Sequence, residues 1–350
     1  MSDLRVGVLG AGWVARARYI PVLRRLSGVE VVGIADRHPD RANTLAQTCN
    51  ARAFGTVEEL LDAGLDAAFI CTSPFSHADL ARSAISRGIH VLTEKPMAMS
   101  PVECREMVAA AKAAGVKLGV SHNFLFSRSM LRARRLLRAG TLGELEYVTA
   151  FQASSPLRRL PHWYPQLPGG LFFDESPHML YLMEAFMERL DLRDLWATKG
   201  SSDGPSEVLE RLEAKFVGPR GVMGSLTMLF RAPVSEWLVV AVGTRAVVTV
   251  DVFRDIAVMI PSDGPHRPSD ILRTSRRAVL GHLRGVVSSG LRYAVGRQFW
   301  GHDVLIRSFL VAVRDDHQPS VTGEDGTRIV GIMNQMLNRA MPGHANGETY

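Results

Sequence analysis

A turn of small residues between a strand-like segment and a helical segment constrains the fold of this chain most. The apolar run over residues 4–9 (LRVGVL) is followed by Gly10-Ala11-Gly12-Trp13-Val14-Ala15, and a helical pattern then begins. The first glycine of such a turn permits a sharp bend, the second lets a phosphate approach the backbone, and a small third residue lets helix and strand pack closely. The helix N-terminus adds N–H groups and a positive dipole end. The turn therefore predicts a phosphate-binding loop.

The second strand-like run supports a dinucleotide as the phosphate ligand. It covers residues 29–35 and ends in Asp36, with Arg37 directly after it. An acid at this point suits the hydroxyls of an adenosine ribose, which favours NAD over NADP. Arg37 can stack on adenine or meet a 2′-phosphate, so NADP stays as an alternative. A glycine turn that binds no dinucleotide is the other interpretation.

The order of segments along the chain predicts two architectures in succession. Up to about residue 121, strand-like runs alternate with helical segments, as in a doubly wound parallel sheet of the Rossmann type. Further on, strand-like runs follow one another without long helices, as in a mostly antiparallel open sheet. We predict a Rossmann domain over residues 1–121 and an α+β domain over residues 122–350. The last helix, about residues 324–340, is expected to return to the domain interface.

Composition excludes several classes of protein. Of 350 residues, 46% are hydrophobic and 22% charged, and no apolar run approaches the roughly 20 residues of a membrane-spanning helix. The N-terminus shows no basic segment before a cleavage site, so we expect a cytoplasmic protein. Three isolated cysteines predict reduced thiols and no metal site. The net charge of +6 fits an anionic substrate or cofactor, and no recognition motif supports nucleic acid.

A charged tripeptide follows a third strand-like run. Glu94-Lys95-Pro96 comes after Val91 and Leu92, at the carboxyl end of a strand, where ligands of open α/β sheets bind. A solvated ion pair of Glu94 and Lys95 is the alternative interpretation.

Together with Thr72-Ser73-Pro74 and His77, this tripeptide resembles the Gfo/Idh/MocA family of glucose–fructose oxidoreductases and inositol dehydrogenases. The resemblance covers the chain from Val6 to about Asn338. It implies an NAD(P)-dependent oxidoreductase that moves a hydride between nicotinamide and a secondary alcohol or ketone of a sugar, sugar nucleotide or cyclitol. It also implies a homodimer or homotetramer that packs through the open sheet.

The resemblance assigns roles to the residues of the first domain. Lys95 would reach the nicotinamide ribose and polarise the substrate oxygen, Glu94 would orient its surroundings, and Pro96 would fix the turn through a cis bond. The expected cofactor contacts are Gly10, Gly12, Trp13, Val14, Ala15, Asp36, Arg37, Thr72, Ser73, Pro74, His77, Glu94 and Lys95.

A second motif, PGGLFFDESPH over residues 168–178, resembles the family's substrate motif. Asp174 and His178 are four residues apart and would share one helical face, where the carboxylate can hold the imidazole that accepts the hydroxyl proton. Lys95, Asp174 and His178 are thus the expected catalytic residues. Alternatively, Asp174 is only the N-terminal cap of the helix predicted over about residues 174–189, and His178 is a core histidine. The motif departs from the family at Ser176-Pro177, where glycine is usual, and at Tyr181, where an acid is usual.

Other residues are expected to bind the substrate, and other functions stay open. The resemblance places His122 and Asn123 in the pocket, and Trp163 and Tyr164 could stack on a sugar ring or only pack a loop. The full expected set of substrate contacts is Lys95, His122, Asn123, Trp163, Tyr164, Asp174, His178 and Tyr181. The alternatives are a reductase of a non-sugar ketone or imine, a non-redox enzyme of the glycosidase type that uses NAD, and a cofactor-binding regulator without catalysis.

An arginine-rich segment stands apart from these motifs. Residues 271–302 contain no Asp or Glu, and their apolar residues recur at helical spacing. The segment could meet a sugar diphosphate or, more weakly, an anionic membrane surface. We favour a solvated helix over the sheet.

Overall fold

The computed structural model describes residues 3–200 and 208–342. These residues form two compact units. The first comprises the described residues up to Asn123 together with Gly301–Gly331, and the second comprises Phe124–Trp300 and the described residues from Ile332 onward.

The first unit is built on a six-stranded parallel sheet with the strand order β3-β2-β1-β4-β5-β6. Its strands are β1 (Leu4–Leu9), β2 (Val29–Ala35), β3 (Arg52–Phe54), β4 (Ala67–Ile70), β5 (His90–Thr93) and β6 (Leu118–Val120). Its helices are α1 (Ile20–Leu23), α2 (Pro39–Thr48), α3 (Val57–Leu61), α4 (His77–Ile85) and α5 (Pro101–Ala113). Every residue of β4 is buried, as expected for a parallel strand that is covered on both faces.

The carboxyl ends of four strands follow one another along a single edge of this sheet. Backbone hydrogen bonds connect Gly10 N to Ala35 O at 2.7 Å, Cys71 N to Leu9 O at 2.7 Å, and Glu94 N to Ile70 O at 2.9 Å. The strand order reverses between β1 and β4, which is the point where open α/β sheets bind ligands. The sheet therefore brings the glycine turn, the Thr72 loop and the Glu94-Lys95-Pro96 segment to one edge.

Side-chain capping at the start of helix α5 fixes the chain segment that follows Pro96. Ser100 accepts a hydrogen bond from Glu103 N at 3.2 Å, and the Glu103 carboxylate accepts one from Ser100 N at 3.0 Å. This reciprocal capping box, with Pro101 at the first helical position, fixes where α5 begins. The segment between β5 and α5 is thus tied at both ends.

The second unit contains a seven-stranded sheet with the order β13-β12-β11-β7-β10-β9-β8, in which only the β10–β7 pair is parallel. The strands are β7 (Leu145–Ala153), β8 (Asp191–Lys199), β9 (Leu209–Val217), β10 (Met223–Leu229), β11 (Glu236–Gly243), β12 (Ala246–Asp251) and β13 (Ile256–Pro261). The remaining helices of the chain are α6 (Arg128–Arg138), α7 (Leu171–Met187), α8 (Pro268–Ala294), α9 (His302–Arg314) and α10 (Gly323–Ala340). The predicted fold class, a parallel sheet followed by a mostly antiparallel one, is confirmed.

Two helices differ from what the sequence suggested. Helix α7 begins at Leu171 rather than near Asp174, because Gly170 takes the N-cap position with φ = +65°. Asp174 is therefore not the N-cap residue, and Pro177 lies inside the helix instead of at its start. Helix α8 lies against β13, but its large apolar side chains point away from the protein. Within the described ranges, no helix has both the length and the apolar character needed to cross a membrane.

Candidate active site

The glycine turn has the geometry of a phosphate cradle. Gly10 has φ = +97°, and a Cβ there would lie 2.9 Å from the Cys71 backbone, so the chain itself requires glycine at this position. A Cβ at Gly12 would meet only Cys71 O, at 3.8 Å. Packing within the protein therefore does not explain glycine at position 12, whereas close approach of a pyrophosphate does. The turn fits a dinucleotide on this ground.

The helix after the turn presents its first residues beside this cradle. Trp13 is 43% exposed and the Arg18 guanidinium lies 4.8 Å from the centre of its ring. Val14 is half-buried, and Ala15 is buried where a π turn over Ala15–Tyr19 begins. The role of Ala15 in close packing of helix and strand stays a prediction.

Asp36 is bound to the glycine turn. Its carboxylate accepts hydrogen bonds from Ala11 N at 2.7 Å and from His38 N at 2.8 Å. These bonds fix the acid at the end of β2 beside the turn, where a ribose would lie. Arg37 is exposed.

His77 connects two loops of the site. Its side chain is fully buried, with Nδ1 2.9 Å from Pro96 O and Nε2 3.3 Å from Thr72 O. Burial lowers the pKa of His77 although both carbonyl groups raise it, so the ring is neutral near pH 7. The Thr72 loop is further closed by a hydrogen bond from Ser76 Oγ to Thr72 Oγ1 at 2.8 Å, and Ser73 and Pro74 lie between them.

The buried carboxylate of Glu94 accepts a hydrogen bond from the backbone of Lys95. The Lys95–Pro96 bond is cis, and Lys95 N donates to Glu94 Oε2 at 3.3 Å. Tyr19 Oη donates to Glu94 Oε1 at 2.8 Å, and His302 Nε2 lies 3.7 Å from the same oxygen. Burial raises the pKa of Glu94, but His302, Tyr19 and Lys95 together bring it below its ordinary value. Glu94 is thus an anion that orients the backbone of the tripeptide.

His122 and Asn123 follow β6 at the same edge of the sheet, and both are buried. Burial lowers the pKa of His122 to about 4, although Asp325 and Glu94 raise it. His122 is therefore neutral at physiological pH and can take part in hydrogen bonds without adding charge to the site.

In the second unit, helix α7 carries Asp174 and His178 on one face. His178 Nδ1 lies 2.7 Å from Tyr181 Oη, which also accepts a hydrogen bond from Phe124 N at 3.3 Å. The phenol, standing where the family resemblance leads one to expect an acid, thus holds the imidazole at one nitrogen. The Tyr181 contact therefore sets the orientation of the ring on α7.

Aromatic rings surround this imidazole, and sequence reasoning missed one of them. The ring centre of His178 lies 4.9 Å from that of Phe124 and 5.3 Å from that of Trp237, which is buried. Trp237 comes from β11 and its Nε1 donates to Ser154 Oγ at 3.3 Å. Its only signal in the sequence was a tryptophan at the start of a strand-like run.

A buried carboxylate next to Asp174 anchors the long loop that precedes α7. Glu175 pairs with Arg158 of that loop and accepts hydrogen bonds from Gln152 and from Ser154 Oγ, the latter at 2.9 Å. Burial lowers the pKa values of Arg158 and of the exposed Arg159, while Asp174 raises both. The loop thus keeps positive charge next to Asp174. Its aromatic residues Trp163 and Tyr164 are half-buried.

The structure therefore assembles two partial sites. The glycine turn, Asp36, the Thr72 loop and Lys95 lie along one sheet edge of the first unit, whereas Asp174, His178 and Tyr181 lie on α7 of the second. Across the described part of the chain, no group of three or more His, Cys, Asp or Glu side chains is arranged to hold a metal ion. The three cysteines are unbridged, and burial raises the pKa of each thiol.

A parallel sheet with a dinucleotide cradle at its switch point, followed by a mostly antiparallel sheet, defines a nicotinamide-binding oxidoreductase of two parts. The profile described as "Oxidoreductase family, NAD-binding Rossmann fold" matches residues 4–122, and the profile "GFO/IDH/MocA C-terminal domain" matches residues 130–249. The chain belongs to the GFO/IDH/MocA family of oxidoreductases, and its first domain is the NAD-binding Rossmann domain of that family. The resemblance inferred from Glu94-Lys95-Pro96 is confirmed.

Individual relatives act on sugars. The chain is 32% identical over 179 residues to 1,5-anhydro-D-fructose reductase of Ensifer adhaerens, covering 50% of this chain and 54% of that enzyme. It is 32% identical over 188 residues to D-glucoside 3-dehydrogenase of Escherichia coli strain K12, covering 51% and 52%. The chain thus spans about half the length of these curated relatives. In structure it resembles the WlbA dehydrogenase of Bordetella pertussis, solved with NADH and UDP-GlcNAcA, with a TM-score of 0.80 and 19% identity over 98% of this chain and 96% of that one.

Proposed function

We propose that the protein is an NAD-dependent dehydrogenase or reductase that interconverts a secondary alcohol and a ketone on a sugar, sugar nucleotide or cyclitol. The observation that carries this proposal is the pair of partial sites: a dinucleotide cradle with Lys95 at its edge, and a helix that presents Asp174 and an oriented His178. NADP is the alternative cofactor, since Arg37 lies beside Asp36 and could meet a 2′-phosphate.

The proposed mechanism divides the work between two side chains. Bound NAD supplies the hydride acceptor. The Lys95 ammonium group stabilises negative charge on the substrate oxygen as the alcohol becomes a ketone. His178 takes the hydroxyl proton at Nε2 while Tyr181 holds Nδ1. The Asp174 carboxylate, on the same helical face, compensates the positive charge that His178 then carries. In the reverse direction the same groups return the proton to the new hydroxyl.

The second unit supports a polar, ring-shaped substrate. The relatives' names concern anhydro-sugars, glucosides and a nucleotide sugar, and Trp163 and Tyr164 stand in the loop before α7, where a sugar ring could stack on them. His122 and Asn123 are proposed as further contacts. Arg159, exposed and close to Asp174, would suit a substrate with an anionic group.

The remaining parts of the proposal concern the whole chain. We propose a cofactor domain over residues 1–121 and a substrate domain over residues 122–350. Alternate residues of β7 and β11, such as Tyr147, Phe151 and Val240, are half-buried on the face opposite α7, and this face suits packing against another subunit to form a homodimer or homotetramer. A cytoplasmic location would supply the cofactor.

The test is a panel of sugars, sugar nucleotides and cyclitols with NAD and with NADP, in which the absorbance of the reduced cofactor is followed. We expect reduced NAD to accumulate with at least one member. Replacing Lys95 or His178 by Ala should lower kcat by about 10²–10⁴-fold, whereas Lys112→Ala, an exposed lysine on α5, should leave it unchanged.

The rival functions give different results in the same assay. A glycosidase-type enzyme would release product without accumulating reduced cofactor, and an imine or non-sugar ketone reductase would turn over only outside the sugar panel. A cofactor-binding regulator would bind NAD and show no turnover with any compound. Activity that survives both Lys95→Ala and His178→Ala would contradict the proposed site.

A further inference from the structure

Helix α8 turns small residues toward the sheet and large apolar residues toward solvent, which is the reverse of an ordinary surface helix. Apart from Asp270 and Arg292 near its two ends, its half-buried residues are small ones that recur three or four positions apart, namely Thr274, Ala278, Gly281, Gly285 and Ser289. A Cβ at Gly285 would lie 2.5 Å from Ile256, and one at Gly281 would lie 3.2 Å from Val258. The small face therefore lies directly on alternate residues of β13.

The large apolar side chains of α8 point into solvent. They are 42–73% exposed, and they comprise Ile271, Leu272, Val279, Leu280, Leu283, Val286, Val287, Leu291 and Tyr293. At about 100° per residue, most of this set centres roughly half a turn from the small face. Over 27 residues the helix is about 40 Å long. Exposed Arg276 lies within this face, and an apolar face of this length marks an interaction surface.

Positive charge accompanies this apolar face. Exposed arginines 273, 277 and 284 follow one flank of α8, and the helix contains a single acid, Asp270. Helix α6, which packs on the same edge strand β13, carries five arginines and no acid. Burial and the neighbouring Arg138 lower the pKa of Arg134 on α6, as expected where like charges crowd. The edge of the sheet therefore presents apolar side chains beside a strongly basic region.

We propose that α8 is an interfacial anchor that binds the protein to an anionic lipid bilayer, with its apolar face in the headgroup region and its arginines among the lipid phosphates. The sheet of the second unit lies on the opposite side of the helix, so this sheet stays outside the bilayer. An apolar face beside a basic flank is what such helices use. A second copy of the chain is disfavoured as the occupant. Two α8 helices that pack antiparallel about a two-fold axis would place the arginine flank of one beside the same flank of the other, and these like charges repel.

The experiment is flotation of the full-length chain with vesicles of phosphatidylcholine alone and of phosphatidylcholine mixed with phosphatidylglycerol. We expect binding to the anionic vesicles at low salt, weaker binding as salt is raised, and little binding to phosphatidylcholine. No binding to anionic vesicles at low salt would overturn the proposal, as would equal binding to both compositions.

Two variants separate the electrostatic and apolar contributions. Replacing Arg273, Arg277 and Arg284 together by Gln should weaken binding by about fivefold per charge, whereas Gln at the exposed Arg41, Arg105 and Arg307 of the first unit removes the same charge and should change little. Leu283→Ser with Leu291→Ser should weaken binding by about tenfold or more, unlike the control pair Val102→Ser with Val304→Ser, which are also exposed.

Circular dichroism and the molar mass in solution complete the test. All substituted side chains are exposed, so each variant should keep the helical signal of the parent chain. If the leucine variant dissociates a dimer and the parent chain does not bind anionic vesicles, α8 packs against a second copy and the membrane proposal fails.

Discussion

At the scale of single residues, the phenol of Tyr181 decides how His178 can work. A carboxylate at this position would stabilise a protonated imidazole by its charge, whereas a neutral phenol holds the ring only by a hydrogen bond. The 2.7 Å contact to Nδ1, with Phe124 N donating to the same oxygen, fixes the orientation of the ring. Tyr181 is therefore a positioning residue for the proposed base.

Tyr181→Phe should lower kcat about tenfold with a smaller change in KM, because the phenylalanine ring keeps the packing and loses the bond that orients His178. Steady-state kinetics with the substrate found in the panel will measure both constants. Tyr147→Phe is the matched control, since it removes a comparable bond to Ser225 Oγ (2.8 Å) on the sheet. Equal kcat values for Tyr181→Phe and the parent enzyme would contradict the positioning role.

The sequence predicted the residues of α7 but not what surrounds them. Spacing alone placed Asp174 and His178 on one face, because four residues make about one helical turn. Trp237 contacts His178 from a strand far along the chain, and no local pattern connects the two. Glu175 was missed for another reason: its burial depends on Gln152, Ser154 and Arg158, which reach it only through tertiary packing.

At the scale of elements, α8 shows what hydrophobic periodicity can and cannot decide. The pattern correctly predicts an amphipathic helix over the arginine-rich segment, but periodicity does not say which face turns inward. The close approach of Gly281 and Gly285 to β13 decides this, because larger residues there would clash with Ile256 and Val258. The early start of α7 likewise depends on a backbone property, the left-handed φ of Gly170, which only glycine adopts readily.

Two glycine replacements in α8 should therefore have opposite effects. Gly290 has no atom within 4 Å of an added Cβ, so Gly290→Ala should raise stability by up to about 1 kcal/mol through helix propensity. Gly285→Ala places a methyl group 2.5 Å from buried Ile256, and the overpacking, typically 1–3 kcal/mol, should outweigh the same gain. Urea unfolding followed by circular dichroism measures both. Stabilisation by both replacements would mean that α8 does not pack on β13.

At the scale of the whole molecule, the alternation of strands and helices was enough to predict the two sheets, because each architecture has its own period along the chain. The grouping of Gly301–Gly331 with the first unit was not visible in this way. It depends on contacts between distant segments, such as the bridge between Gly119 and Thr322 and the hydrogen bond from Arg314 to Gly28 O at 3.2 Å. Periodicity indicates that an element has two unlike faces, but not which partner covers either of them.

Buried histidines give the first unit a pH dependence of stability. The pKa of His122 is about 4 in the folded chain against 6.5 when exposed, so the unfolded state binds more protons between these values. The free energy of unfolding should therefore be constant above about pH 6.5 and fall by about 3 kcal/mol as the pH drops to about 4. His122→Gln should reduce this slope and leave the smaller contribution of His77 and His90, whose pKa values burial also lowers, whereas His317→Gln, at an exposed position, should keep the whole slope.

Glu94 acts in a separate, more acidic range, which allows the two effects to be distinguished. Its folded pKa lies below 4.5, so its stabilising contribution is present above that value and is lost only as the pH falls through the lower, folded value. Urea midpoints between pH 4.5 and 7.5 therefore report His122 and the other buried histidines rather than Glu94. An unchanged slope in His122→Gln over that range would show that the imidazole is not buried in its neutral form. Kinetic comparison of Tyr181→Phe belongs above pH 6.5, where this unfolding contribution does not enter.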